Sequence, residues 1–275
     1  LPITGRWNSI SYGNGMFVSL SSYGNKSIYS YDGITWFENT LPTTGDWRSI
    51  TYGGDNKFIA LEVSNNYMIY SYNGITWYNQ SELNTPWIKT IPIETTLLSL
   101  TTNNKFCAIS SNDGSSWNEY EISKTDREWK DVVYGNNLCV AIANNDKYCA
   151  VSSDSGITWE EHEISSTIRD WNTITYKDGY FIISTYNDNT IAKSVDGIIW
   201  VESNLISEYS IKDSIITDNG VIICIGYGSD LLYSYDNGSN WEIRPILPGF
   251  NKFHAISKNG NVLKIVINND SYPVN

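Results

Sequence analysis

Four of the five arginines in this 275-residue chain, Arg6, Arg48, Arg127 and Arg169, fall within two residues of a tryptophan. Guanidinium groups brought together from several such places would grip a carboxylate through paired N–H···O bonds. Asn8, Asp46, Lys130, Asn172 and His254 stand beside the same kind of position, which adds amides and charges of both signs. Tyr23, Tyr67, Tyr186 and Tyr227 lie in stretches rich in Ser, Asn, Gly and Asp. Such a set suits a sugar, because an aromatic face covers C–H groups while amides and carboxylates pair with hydroxyls. These thirteen residues are the candidate ligand-binding set.

Other chemistry is sparse, and no catalytic residue is assigned. His162 and His254 are 92 residues apart, so neither a zinc motif nor a sequence-local triad exists. Cys107, Cys139, Cys149 and Cys224 sit in apolar strand-like runs without metal-ligand spacing and read as small buried thiols. Cys149 is expected to face Ile142 and not Cys139. The glycine-rich segments lack the Lys of a phosphate loop, and Asn144-Asn145-Asp146 and Asn187-Asp188-Asn189 lack calcium-loop spacing. No metal and no cofactor is implied.

The elements that position the candidates repeat. Ser30-Tyr31-Asp32-Gly33-Ile34-Thr35-Trp36 returns five times, at Ser71–Trp77, Ser111–Trp117, Ser152–Trp159, Ser194–Trp200 and Ser234–Trp241, and the closing tryptophans are 41, 40, 42, 41 and 41 residues apart. A second signature opens each unit at Trp7, Trp47, Trp87, Trp129 and Trp171, with Lys212 and Phe253 in the same place in the sixth and seventh. Between the two, short runs of period two, rich in β-branched and aromatic residues, alternate with turn residues. Four short strands per roughly 40 residues is the blade of a β-propeller.

The sequence therefore predicts an all-β fold: a seven-bladed β-propeller of four-stranded antiparallel blades in one domain over residues 1–275. Blades start near 7, 47, 87, 129, 171, 212 and 253. The seventh unit lacks its box, and Leu1-Pro2 matches Leu41-Pro42 and Leu247-Pro248, so residues 1–4 are expected to finish that blade. Six blades plus an extra hairpin is the alternative.

The box itself reads as a turn, its glycine supplying positive φ and its Asp accepting from the turn's amides. Two boxes, at Ser152 and Ser234, carry one more residue before Gly. Ser152-Ser153-Asp154-Ser155-Gly156-Ile157-Thr158-Trp159 resembles the Asp-box repeat of bacterial neuraminidases, and the likeness runs through nearly the whole chain. The resemblance implies a structural turn on the face opposite a sialidase active site. The entrances to the first strands and the loops between second and third strands then share the other face. There the units differ: Arg6, Asp46, Pro86, Glu128, Asp170, Ile211 and Lys252 precede the opening position, and Asn8, Arg48, Ile88, Lys130, Asn172, Asp213 and His254 follow it.

Trp-Arg-Ser-Ile-Thr-Tyr-Gly and Tyr-Ser-Tyr-Asp-Gly-Ile-Thr-Trp are similar to repeats of bacteriophage and other viral tail or fibre proteins. That resemblance implies a non-catalytic binding propeller on a virion or extracellular surface, recognising a host glycan or protein receptor. A scaffold contacting other structural proteins of a particle is the alternative, and a sialidase-like glycosidase is third. The sialidase Arg-Ile-Pro motif is absent; the nearest string is Arg244-Pro245-Ile246. With 18 basic and 30 acidic residues, net −12, nucleic acid and anionic membranes are poor partners. No apolar run reaches the roughly 20 residues of a membrane helix, and the chain reads as soluble.

Overall fold

A computed structural model describes residues 6–53, 56–64, 67–80, 87–205, 210–227, 230–245, 253–259 and 262–267. It is a seven-bladed β-propeller. Six sheets have four antiparallel strands in sequential order, and the seventh has two, Phe253–Asn259 and Val262–Ile267. In blade 1 the strands are Trp7–Gly13, Met16–Ser21, Gly24–Ser30 and Phe37–Gly45. Among the described residues no helix is long and apolar enough to cross a membrane.

The first strand of each blade lines the centre. These seven strands touch one another in order, and Phe253–Asn259 touches Trp7–Gly13, which closes the ring. Ala255 packs there into the cluster of Trp7, Ile10, Phe17 and Ile28. The seventh hairpin is thus a blade and not an appendage. The expected completion of that blade by residues 1–4 lies outside the described residues.

The core is shared between blades, because each sheet buries both faces against its neighbours. Met16, Val18 and Leu20 of blade 1 pack on Trp47, Ile50 and Phe58 of blade 2. The second strands are accordingly buried along their length, as in Met16–Ser21 and Lys57–Glu62. The cysteines follow the same logic: all four are buried free thiols, Cys149 pairs across the sheet with Ile142, and burial pushes Cys107, Cys139 and Cys149 up to about 12.

At one end of every complete blade the repeated turn is closed by its own side chains. Ser30 Oγ accepts from Gly33 N–H at 2.7 Å and donates to Asp32 Oδ1 at 3.0 Å. Asp32 Oδ1 also accepts from the amides of Ile34 and Thr35, each at 2.7 Å, and these bonds hold its carboxyl down at about 2. The Trp36 indole donates back to Gly33 O at 3.1 Å. The third turn begins one residue earlier than its sequence suggests. Ser110 Oγ accepts from Gly114 N–H and Asn112 takes the acceptor's place, so Asp113 is an inserted residue at φ 57°. Ser155 and Asn237 are the same insertion, at φ 61° and 56°. The glycine that follows also seats the turn on the preceding blade, since a Cβ at Gly74 would lie 2.5 Å from Met16 Sδ.

Candidate binding site

The opposite end of the central channel is a polar cavity of about 530 Å³. Its geometry comes from one irregularity present in all seven blades. In each inner strand the register skips the residue after the opening position: Trp7 pairs with Ser21 and Ser9 with Leu20, leaving Asn8 as a bulge. Arg48, Ile88, Lys130, Asn172, Lys212 and His254 are the other six bulge residues. A bulge frees its residue from the ladder and re-aims it. Asn8, Arg48, Ile88, Lys130, Asn172 and Lys212 thereby all line the cavity.

Blade 6 differs from its expected alignment by one residue. Ile211 pairs with Gly226 as Trp7 does with Ser21, and it is 0% exposed. The opening position is buried and takes an apolar side chain, so Lys212 falls on the rim and Asp213 one step deeper.

Below the rim the next residues form a second belt. Three of its polar members, Ser9, Asp131 and Asp213, each accept a backbone amide from the following blade, from Ile50 at 3.2 Å, Ile174 at 3.1 Å and Ile256 at 3.0 Å. The same belt position thus bonds blade to blade at three places around the ring. Lys89 joins in through Asp131 Oδ1 at 3.2 Å. The Asp131 carboxylate, with Asp213 beyond it, raises the Lys89 ammonium against the opposing effect of burial. Burial pushes Asp213 up to about 6 despite Lys89. Lys89, Asp131 and Lys212 were not among the sequence candidates. Comparing the units two residues past the opening position, and not one, would have exposed the first two.

The remaining candidates divide sharply. Asp46 binds Arg48 through both carboxylate oxygens, at 2.8 to 2.9 Å, and Tyr23, 61% exposed, approaches from blade 1; both raise the Arg48 guanidinium. Tyr186 lies under Lys212, whose Nζ is 4.8 Å from the ring centroid. Arg6 and Tyr67 serve through their carbonyls, which accept from Ser22 N–H at 2.7 Å and Glu62 N–H at 2.9 Å. The side chains of Tyr227 and His254 lie outside the described residues.

Arg127 and Arg169 turn outward. Arg127 reaches from the end of blade 3 to Asp146 and Glu161 of blade 4. Arg169 does the same one blade on, meeting Asp188 at 2.8 Å and Glu202 at 3.0 Å. Each is a clamp across a blade boundary, anchored on the next outer strand. Of the four arginines only Arg48 lines the cavity. They do not converge on a carboxylate site of the sialidase kind.

No protein-family model matches the chain, and no curated protein matches it. Solved structures do share the fold. A catalytically inactive virginiamycin B lyase from Staphylococcus aureus with quinupristin superposes with a TM-score of 0.86 at 14% identity, over 97% of this chain and 94% of that one. A selenomethionine-substituted form of the enzyme gives 0.83 at 16% identity, over 96% and 92%. YCF48 bound to D1 peptide gives 0.76 at 16% identity, over 98% and 92%. At these identities the likeness establishes the β-propeller alone. It also corrects one expectation. The resemblance to viral repeats implies a non-catalytic propeller, yet virginiamycin B lyase is an enzyme on the same fold, so the fold gives no ground for excluding catalysis.

Proposed function

We propose that this chain is a recognition propeller that holds a segment of a partner protein at the mouth of its central channel, as a component of a viral or bacterial surface assembly. The observation that carries this reading is the bulge ring. Six equivalent positions line one cavity, yet they bear Asn, Arg, Ile, Lys, Asn and Lys, a variety that a purely structural role would not require. YCF48, a propeller of the same fold, has been solved with a peptide bound, which supports a peptide as ligand here. The surface assembly rests on the resemblance of the repeats to viral tail and fibre sequences. Filling the mouth tests the reading. Asn8→Trp should abolish capture of the partner from the parent assembly while leaving thermal unfolding unchanged; undiminished capture by the folded variant would refute it.

A host-surface glycan is the second reading, favoured by two exposed aromatic clusters. Tyr29 stacks on Phe37 at 5.4 Å with Tyr31 edge-on at 6.0 Å, and Tyr70 stacks on Tyr78 at 5.4 Å with Tyr72 edge-on at 5.6 Å. Tyr31 and Tyr72 are 59% and 55% exposed in turns that do not need an aromatic residue. A glycan array should then show signal that Tyr31→Ala with Tyr72→Ala removes, and no signal from the wild type would dispose of this alternative.

A further inference from the structure

We infer that the channel mouth selects a carboxylate-bearing, acidic segment of its partner; this rests on the mouth being the recognition site. The charge distribution is the first ground. Four of the chain's 18 cations, Arg48, Lys89, Lys130 and Lys212, line the cavity, against only three of its 30 carboxylates, Glu128, Asp131 and Asp213. An acidic protein has therefore placed its one concentration of positive side chains, among the described cavities, around this opening. Field lines in such a recess are focused by its low-dielectric walls and raise the local concentration of anions.

How the charges are held is the second ground. The carboxylates are already committed. Asp131 takes Lys89 and two groups of blade 5, the Ile174 amide at 3.1 Å and the Thr173 hydroxyl at 3.3 Å. Asp213 accepts the amides of Ser214 at 2.8 Å and Ile256 at 3.0 Å. Glu128 accepts from the Asn144 amide at 3.3 Å. The rim cations are held differently. Arg48 is oriented by Asp46 with its Nε and Nη2 edge occupied, and Lys212 rests on the Tyr186 ring with Nζ 4.8 Å from the centroid. Lys130 is exposed and makes no ion pair or hydrogen bond among the described residues. Arg48, Lys130 and Lys212 occupy the same bulge position on blades 2, 4 and 6, so they stand at one level around the opening. An unpaired ammonium on a rim whose other side chains are fixed is the place where an incoming carboxylate gains most, since no internal partner must first be displaced.

The shared chemistry is the carboxylate, and the test separates it from other anions. Fluorescein-labelled peptides of alternating Gly and Glu, and of alternating Gly and Gln, are titrated by anisotropy into the full chain, with inorganic phosphate and sulfate as competitors. The Glu peptide should bind and the Gln peptide should not. Affinity should fall roughly tenfold between about 50 and 300 mM NaCl, as expected for exposed charges screened by salt. Lys130→Glu and Lys212→Gln should each weaken binding, whereas Lys26→Glu, on the third strand of blade 1 and not among the residues lining the cavity, should not. Equal binding of the two peptides, equal loss in the Lys26 variant, or displacement by phosphate as readily as by free Glu peptide would overturn the inference. If the natural partner is still captured by the Lys130→Glu protein but not by the Asn8→Trp protein, the mouth is the site and the acidic preference is wrong. Loss of neither places the failure in the recognition reading itself.

Discussion

The two ends of the central channel are built from the same seven repeats and treat them in opposite ways. At the turn end each complete blade closes on itself through Ser and an acidic or amide residue, and in five of the six the Trp indole bonds back to the turn glycine. At the mouth the repeated feature is a gap in the ladder, the bulge, and the side chain placed there changes from blade to blade. Local closure demands the same residues every time, whereas a bulge demands only a backbone shape. Repetition therefore marks the turn end as scaffold, and variation within a repeated geometry marks the mouth as the place free to acquire specificity.

This contrast predicts graded effects. The largest belongs to the shared scaffold: Trp129 is 1% exposed, packs among residues of blades 3 and 4, and donates its indole N–H to Asn104 O at 3.0 Å. Trp129→Ala should cost about 3–5 kcal/mol in urea unfolding, as large-to-small core changes do. A loss below about 1 kcal/mol would show that the blades do not depend on one another as the shared core requires. Next comes the turn. Ser152→Ala leaves the buried Gly156 N–H, now bonded at 2.8 Å, without its acceptor and should cost about 1–3 kcal/mol. Its ligand binding should be untouched, and a variant that lost binding while remaining folded would join the two ends functionally.

The smallest effect is a difference in the sign of pH dependence. Asp32, Asp154, Asp196 and Asp236 are held below the usual carboxylate range by turn hydrogen bonds, so their contribution to stability is present above about pH 4 and is lost as pH falls. Asp213 runs the other way. Its folded value of about 6 exceeds the unfolded 3.8, so its contribution is fully present below the unfolded value and is lost as pH rises through about 6. Asp213→Asn should flatten the stability profile between about pH 4 and 6, read from thermal midpoints. An unchanged slope would mean that Asp213 does not carry the burial assigned to it.

Much of this was legible in the chain and some was not. The turn could be read because its bonds join residues two to four apart, so spacing alone brings donor and acceptor together. Spacing does not settle blade 3, where Asn112 and Asp113 are both capable acceptors and only the left-handed backbone at Asp113 decides between them. Nor does it settle blade 6, where Ile211 and Lys212 both continue a strand pattern and only the buried opening position rejects the lysine. The bulges were invisible for a different reason. Every repeat carries the same one, so comparing units shows no irregularity, and alternation still looks intact on either side of it.

The sequence by itself determined the period, the number of blades and the chemistry of the turns, because each depends on residues within one strand-turn-strand unit. The tertiary structure decided which polar side chains meet. Arg127 and Glu161 are 34 residues apart, and Arg169 and Glu202 are 33 apart, so whether those guanidinium groups point to the channel or to the next outer strand depends on how one blade lies on another. Arg48 and Lys130 remain at the mouth because the bulge turns them there, a choice made by backbone register and not by residue type.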